Sequence, residues 1–325
     1  MGEMACADPG TGPTGDLPGV SIDLSAVVVA VTGEEPRVLA LRMGARFALP
    51  SGLLETQHRT LEMGLRSWVE RQTDQRLNHV EQLYTFGDLD RREDGSRALS
   101  VAYLALVREA HSAGAVPASW PGWYGFFPWE DWREGRPAVL DCIHAALEAW
   151  ACRAPDRHTA HLRRQRRRLA FSDAGEASGL SAGRSWNDER VLERYELLYE
   201  AGLVAEAGAE ENGLVLGCAM AFDHRRILAT AIGRLRGKIK YRPVVFELMP
   251  PTFTFLHLQR AVEALSGMRL HKQNFRRLVE SQGLVEETGE TASDTGGRPA
   301  RLLRFRPDVL LERPAPGVRP PAARR

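Results

Sequence analysis

The sequence predicts an α/β domain followed by a helical stretch and a small domain of two helices and a hairpin. Three observations carry this reading: β-branched runs near the front, periodic apolar helices in the middle, and two short helices separated by a glycine near the end. From Ile22 the run Val27–Val31, the turn Gly33–Pro36 and the run Val38–Leu41 read as a strand hairpin. Thr60–Gln75 places Leu61, Leu65, Trp68 and Val69 at helical spacing, and Val80–Phe86 and Leu99–Val107 read as strands joined by the polar turn Asp88–Ser96. This mixed pattern lasts to about Pro137. Ala138–Arg153 then reads as an apolar helix, and Arg157–Arg168 holds six arginines and two histidines in twelve residues. Gly175–Gly183 reads as a flexible joint before a helix Asp188–Ala201 ended by Gly202. Asp223 is expected to cap a helix His224–Tyr241, which Pro243 stops.

The last helices are the most sharply bounded. Thr254 is expected to cap a helix whose Phe255, Leu258, Val262 and Leu265 recur at three- and four-residue intervals, with Gly267 ending it. His271–Gln282 buries Phe275, Leu278 and Val279, with Gly283 as terminator, and Leu284–Glu287 and Arg301–Phe305 form a hairpin across Gly289–Pro299. Helix, tight turn, helix and hairpin is the order of a winged helix-turn-helix, in which the second helix enters DNA. That helix shows Lys272, Gln273, Asn274, Arg276 and Arg277 on its outer face. Gln273 and Asn274 suit paired hydrogen bonds to adenine, the arginines suit guanine or phosphate, and the hairpin adds Arg298. The alternative is two amphipathic helices with solvated basic faces.

Composition agrees. The 325 residues are 43% apolar and 26% charged, which suits one large or two ordinary globular domains and excludes a disordered or fibrous chain. The longest apolar runs, around Leu24–Val31 and Leu214–Phe222, fall well short of the roughly 20 residues that cross a bilayer. Met1–Val20 lacks a basic start and apolar middle, and the four cysteines lack CxxC spacing, so a cytoplasmic protein without membrane attachment is expected. The net charge of +1 conceals an asymmetry: residues 221–325 carry 20 Lys/Arg against 10 Asp/Glu, whereas residues 1–220 carry 23 against 32. An anionic partner for the C-terminal third follows, nucleic acid being the usual one. The Arg157–Arg168 run reads as a solvated face or as a phosphate-contacting patch.

Leu49-Pro50-Ser51-Gly52-Leu53-Leu54-Glu55, followed by the helix with Arg66-Ser67-Trp68-Val69-Glu70-Arg71, resembles the Nudix box. Laid on Gly52, the family pattern puts its first glutamate at His58, its arginine at Arg66 and its metal-binding trio at Ser67, Glu70 and Arg71. Two of the three metal carboxylates are missing. Magnesium needs carboxylate oxygens to neutralise a diphosphate and activate water, so the site suits a pocket better than an active centre. Arg71 puts a positive charge at a metal position, where it can attract phosphates; the plainer reading of Arg66 and Arg71 is a salt bridge with Glu62, Glu70 or Asp74.

The segments Tyr84–Asp88, Ser100–Tyr103, Ala221–Ala229, Phe246–Pro250, Asn274–Arg277 and Gly296–Ala300 together resemble the Nudix-related transcriptional regulators of NAD metabolism, the NrtR-like proteins. The resemblance covers about Val20–Pro137 and Met220–Arg306 and is strongest to the longer alphaproteobacterial-type NAD regulators, which carry a helical insertion here. It implies α/β plus α architecture: a degenerate Nudix α/β/α sandwich at 21–137 as sensor, a helical insertion at 138–218, a connecting helix at 219–242 and a winged-helix DNA-binding domain at 243–306; the Gly and Pro content of 1–20 and the Pro content of 307–325 read as a disordered N-terminus and a disordered tail. It implies a homodimeric repressor of NAD-biosynthesis genes on double-stranded operator DNA. The expected effector is ADP-ribose, NAD or ATP, with Arg42, Phe47, Arg66, Glu70 and Arg71 as its expected ligands, and neither a required cofactor nor a metal site is expected. The rival reading is a Nudix-type pyrophosphohydrolase with an auxiliary domain; a third is a scaffold docking acidic partners through the arginine run.

Overall fold

A twelve-residue strand, β1 (Ser21–Thr32), is buried on both faces, and the α/β part is arranged around it. The computed structural model describes residues 20–87, 98–109, 118–171, 186–208, 216–292 and 299–309. On one edge β1 takes β2 (Glu35–Val38) and β5 (Ser51–Leu53), both antiparallel. On the other it pairs in parallel with β7 (Ala98–Leu106), in register from Ser21 with Ala98 to Val29 with Leu106, and β7 pairs antiparallel with β6 (Val80–Phe86). A smaller sheet in the order β4-β3-β8 joins β3 (Ala40–Met43) to β4 (Arg46–Ala48) and β8 (Ala118–Ser119).

Side chains alternate across a strand, so β1 and β7 feed two cores. Leu24, Ala26, Val28 and Ala30, with Val101, Tyr103 and Ala105, face the helix α1 (Leu61–Thr73) through its Leu65 and Val69. Val27, Val29, Ala102, Leu104 and Leu106 face the opposite way, into a larger core. That core contains Trp123, Phe126, Phe127 and Trp129, which follow β8, and the helices α2 (Val139–Cys152), α3 (Arg157–Phe171), α4 (Val191–Glu200), α5 (His224–Ile239) and α6 (Phe255–Ser266). The second helical layer on the sheet is therefore built from C-terminal elements: α5 packs on β1 and β6, and α6 on β1 and β2. α7 (Lys272–Ser281) and a hairpin of β9 (Val285–Ala292) and β10 (Ala300–Phe305) complete the fold.

The structure departs from the sequence reading in several places. Val38–Leu41 is not one strand, because Leu39 bonds to Val28 and the chain then changes sheets. The arginine helix continues to Phe171, whose side chain is buried. Asp223 stands at the N-cap of α5 but makes no side-chain cap bond. β9 runs through Gly289, which takes φ +83, to Ala292, so the hairpin is longer than read. Val309 is fully buried, so ordered chain continues past Arg306. Residues 1–19, the turn Asp88–Ser96, the joint Gly175–Gly183, Arg298 and residues 310–325 lie outside the described residues.

The turn from β5 into α1 is fixed by side chains. The Gln72 amide bonds both the N–H and the carbonyl of Ser51, at 3.2 and 2.9 Å, and Trp68 Nε1 donates to the Leu53 carbonyl at 2.8 Å. The Trp68 ring lies on Gly52 so closely that a Cβ there would overlap it. Gly52→Ala is expected to lower stability by about 1–3 kcal/mol through overpacking. Chemical denaturation checks this, and Trp68→Leu in the same chain should recover part of the loss.

Candidate nucleic-acid interface and ligand pocket

The helix pair is bounded by local chemistry. Thr254 Oγ1 accepts the His257 N–H at 3.1 Å, and Gly267 ends α6 in the left-handed region at φ +73. The turn into α7 is then held by Glu263, which is 1% exposed. Its carboxylate accepts from the Leu270 N–H at 2.9 Å, from Gln259 at 2.8 Å, and from Arg260 and Arg269 at 3.0 Å each. Burial opposes its ionisation, but these hydrogen bonds, the Leu270 N–H foremost, outweigh it and hold the carboxyl below the usual glutamate range. The sequence reading missed Glu263; its only signal was an acid inside an otherwise apolar stripe, with a basic residue three positions before it and another six positions after it.

α7 turns Phe275 and Val279 into the core and leaves Lys272, Gln273, Asn274, Arg276 and Arg277 exposed; Leu278 is half-buried. Arg276 is steered along its own helix: Nε donates to Glu280 at 2.8 Å, and the guanidinium lies over Phe255 at 5.0 Å. The wing is anchored by Phe305 stacked on Phe246 at 4.4 Å and by a bridge between Phe253 and Leu303. Its exposed arginines Arg301 and Arg304 pair across the strands with Glu287 and Glu286.

On the α/β part, α1 borders an open concavity of about 440 Å³ lined by Met63, Arg66, Ser67, Glu70 and Arg71. Arg66 is committed to structure, since it pairs with Glu62 at 2.7 Å and donates to the carbonyls of Leu77 and Asn78. Glu70 pairs with Arg76 at 3.0 Å. Arg71 is half exposed, stacks 4.0 Å over Trp68 and lies 3.7 Å from Glu55, which leaves most of its donors facing solvent. His58, at the first glutamate position of the box, accepts the Glu55 N–H on Nδ1 and so acts as a loop staple. These donors do not suit magnesium: one glutamate, already paired, stands beside an arginine. Among the described residues no group of three or more His, Cys, Asp or Glu could hold a metal ion.

Arg42 and Phe47 do not line this concavity. They are cross-strand partners on the smaller sheet, with the Arg42 guanidinium 4.6 Å over the Phe47 ring, and Phe47 meets Phe126 edge-on at 5.4 Å. The five residues read as one ligand set thus form two groups on separate elements. The arginine run of α3 is largely engaged within the helical part: Arg164 and Arg167 pair with Glu148, Arg166 with Glu200, and Arg163 lies over Trp150. No helix among the described residues is long and apolar enough to cross a membrane.

Residues 245–305 match the model of the NrtR DNA-binding winged helix domain. A curated relative, the ADPR responsive transcriptional repressor NtrR of Acinetobacter baylyi, is 43% identical over 86 residues, which are 26% of this chain and 34% of that protein; the match thus spans about a third of the relative's length. Shewanella oneidensis NrtR, crystallised with a 27mer DNA, is similar in structure with a TM-score of 0.51 at 19% identity, over 93% of this chain and 99% of that one. A MutT/nudix family protein from Enterococcus faecalis gives 0.53 at 16% identity, over 91% and 90%. These matches bear out the resemblance and the fold class read from the sequence, a Nudix-like fold with a C-terminal winged helix domain.

Because the folded carboxyl of Glu263 is held low, its contribution to stability is present above the unfolded carboxylate range and is lost as pH falls through the folded value. Glu263→Gln is expected to cost about 1–3 kcal/mol at neutral pH. Denaturation of both proteins as a function of pH checks this: the gap should close on acidification, and a gap that widens would contradict it.

Proposed function

We propose that this chain is a DNA-binding transcriptional repressor of NAD-biosynthesis genes, acting in the cytoplasm as a homodimer, whose Nudix-like domain senses ADP-ribose or a related nucleotide. The observation that carries the reading is the face of α7. Two side-chain amides suited to paired hydrogen bonds with adenine, Gln273 and Asn274, and two arginines stand exposed on a helix fixed by Glu263, within residues that match a DNA-binding winged helix. Lys272 adds a phosphate contact at the start of that helix. Arg298 is assigned to the wing on sequence grounds alone.

The name of the Acinetobacter baylyi relative supports ADP-ribose as effector. Arg71 is the phosphate ligand that the α1 concavity best provides, because Arg66 and Glu70 are already occupied. Arg42 and Phe47 present a cation stacked on a ring, a surface suited to a base or a second phosphate. For an effector to switch the protein it must bind the DNA-competent and DNA-incompetent arrangements with different affinity. In a dimer that difference arises when the spacing of the two recognition helices departs from the pitch of the double helix.

Arg277→Ala is expected to weaken operator binding by about 1–3 kcal/mol and relax preference at one base pair, whereas Lys272→Ala should weaken all DNA alike and lower the salt slope by about one. Selection from random duplexes followed by anisotropy titration checks both; unchanged affinity in the Arg276→Ala, Arg277→Ala double variant would remove α7 as the recognition helix. Incubation with ADP-ribose and magnesium or manganese is expected to yield no hydrolysis, and turnover abolished by Glu70→Gln would favour a pyrophosphohydrolase instead.

A further inference from the structure

The winged helix meets the α/β part through charged groups with no access to water. Glu130, in the short helical turn Pro128–Glu130, is 1% exposed, and its carboxylate accepts from Arg194 of α4 and Arg236 of α5. Arg194 Nη2 and Arg236 Nη1 reach the same oxygen at 3.0 and 2.6 Å. The remaining guanidinium N–H groups find carbonyls: Arg194 those of Ala170 and Asn187, Arg236 those of Asp188 and, at the end of α6, Leu265. Trp186 lies 3.9 Å from the Arg194 guanidinium. Two backbone-directed bonds close the junction, Tyr124 Oη to the Ala264 carbonyl at 2.7 Å and the Trp132 N–H to the Gly267 carbonyl at 2.8 Å. A Cβ on Gly267 would overlap the Glu130 carbonyl.

One carboxylate between two buried guanidinia is a poor way to add stability, since apolar residues of the same volume commonly do as well or better. What the arrangement supplies is direction. Each guanidinium is a planar fork whose donors must meet acceptors at fixed angles, so only one mutual orientation of α4, α5 and the end of α6 satisfies all of them. Phe126, two residues before that turn, meets Phe47 edge-on beside Arg42. A displacement of the smaller sheet therefore reaches the carboxylate within one short segment of chain.

We infer that Glu130 is the positioning residue that sets the angle of the winged helix on the α/β domain, and that effector occupancy reaches the DNA-binding face through it. The second half rests on the sensing function proposed above; the first does not.

The test uses the full chain with its native cysteines replaced by serine and spin labels at Tyr84→Cys on β6 and Ser281→Cys on α7, both exposed positions. Labelled protein is diluted into unlabelled protein so that one copy of any dimer reports. The parent should give one narrow distance distribution, and Glu130→Gln a broadened or shifted one. If Glu130→Gln does not fold, Tyr124→Phe, which removes the bond to the Ala264 carbonyl and the acceptor that Tyr124 Oη offers Arg236 Nη2 at 3.4 Å, should broaden the distribution to a lesser degree. A folded Glu130→Gln with the parent distribution, or a parent-like Tyr124→Phe where Glu130→Gln cannot be made, overturns the inference. The ratio of ADP-ribose affinities with and without operator DNA should also fall at least about fivefold towards unity in Glu130→Gln. A parent that has one narrow distance but no such ratio refutes the sensing function and leaves the positioning role standing. A ratio unchanged in a folded Glu130→Gln refutes the transmission role.

Discussion

A single carboxylate shared by two buried guanidinia decides how the parts of this molecule sit together. Glu130 comes from the aromatic segment after the sheet, Arg194 from the helical stretch and Arg236 from the helix leading into the winged helix, and none of the three has appreciable contact with solvent. Buried charge is tolerated only when it is paired and its remaining donors are bonded, and here backbone carbonyls complete the set. A second buried arginine works alongside. Arg225 reaches Glu206 at 3.1 Å and the carbonyls of Phe126 and Leu216, with the rings of Phe127, Trp129 and Tyr195 around it. Both fasten the helix α5 to the same aromatic segment, which accounts for the continuity of the larger core.

Much of the fold was legible because it is set by local pattern. The β-branched front of β1, the helical spacing of Leu65 and Val69, and the caps at Thr254 and Gly267 each act within a few residues, and the elements stand where they were read. What was not legible depends on partners distant in sequence. The smaller sheet needs Ala40 to meet Ser119, and neither a four-residue nor a two-residue strand announces itself. α5 carries Ile227, Leu228, Ile232, Leu235 and Ile239, which say that it is buried and not on what; it covers the sheet as well as connecting two regions.

The site shows the same division. The outer face of α7 was legible because a ten-residue amphipathic helix has few ways to bury Phe275 and Val279. The roles of its arginines were not, since the contact of Arg276 with Phe255 of the neighbouring helix lies outside any local pattern. On α1 the sequence placed Arg66 and Arg71 together, and packing separates their uses: one ties a loop by its carbonyls, the other stands over Trp68 with donors towards solvent. Glu263 illustrates the general reason. A buried acid is informative only once its partners are known, and two of its four come from beyond the end of its own helix.

Effector sensing requires that one small molecule change the hold of α7 on DNA. Fluorescence anisotropy of a selected operator duplex, titrated with the full chain at zero and at saturating ADP-ribose and fixed salt, tests that requirement directly. The midpoint is expected to move to higher protein concentration by about fivefold or more, with release of DNA. Superimposable curves, obtained with ADP-ribose shown by calorimetry to be bound, would contradict it.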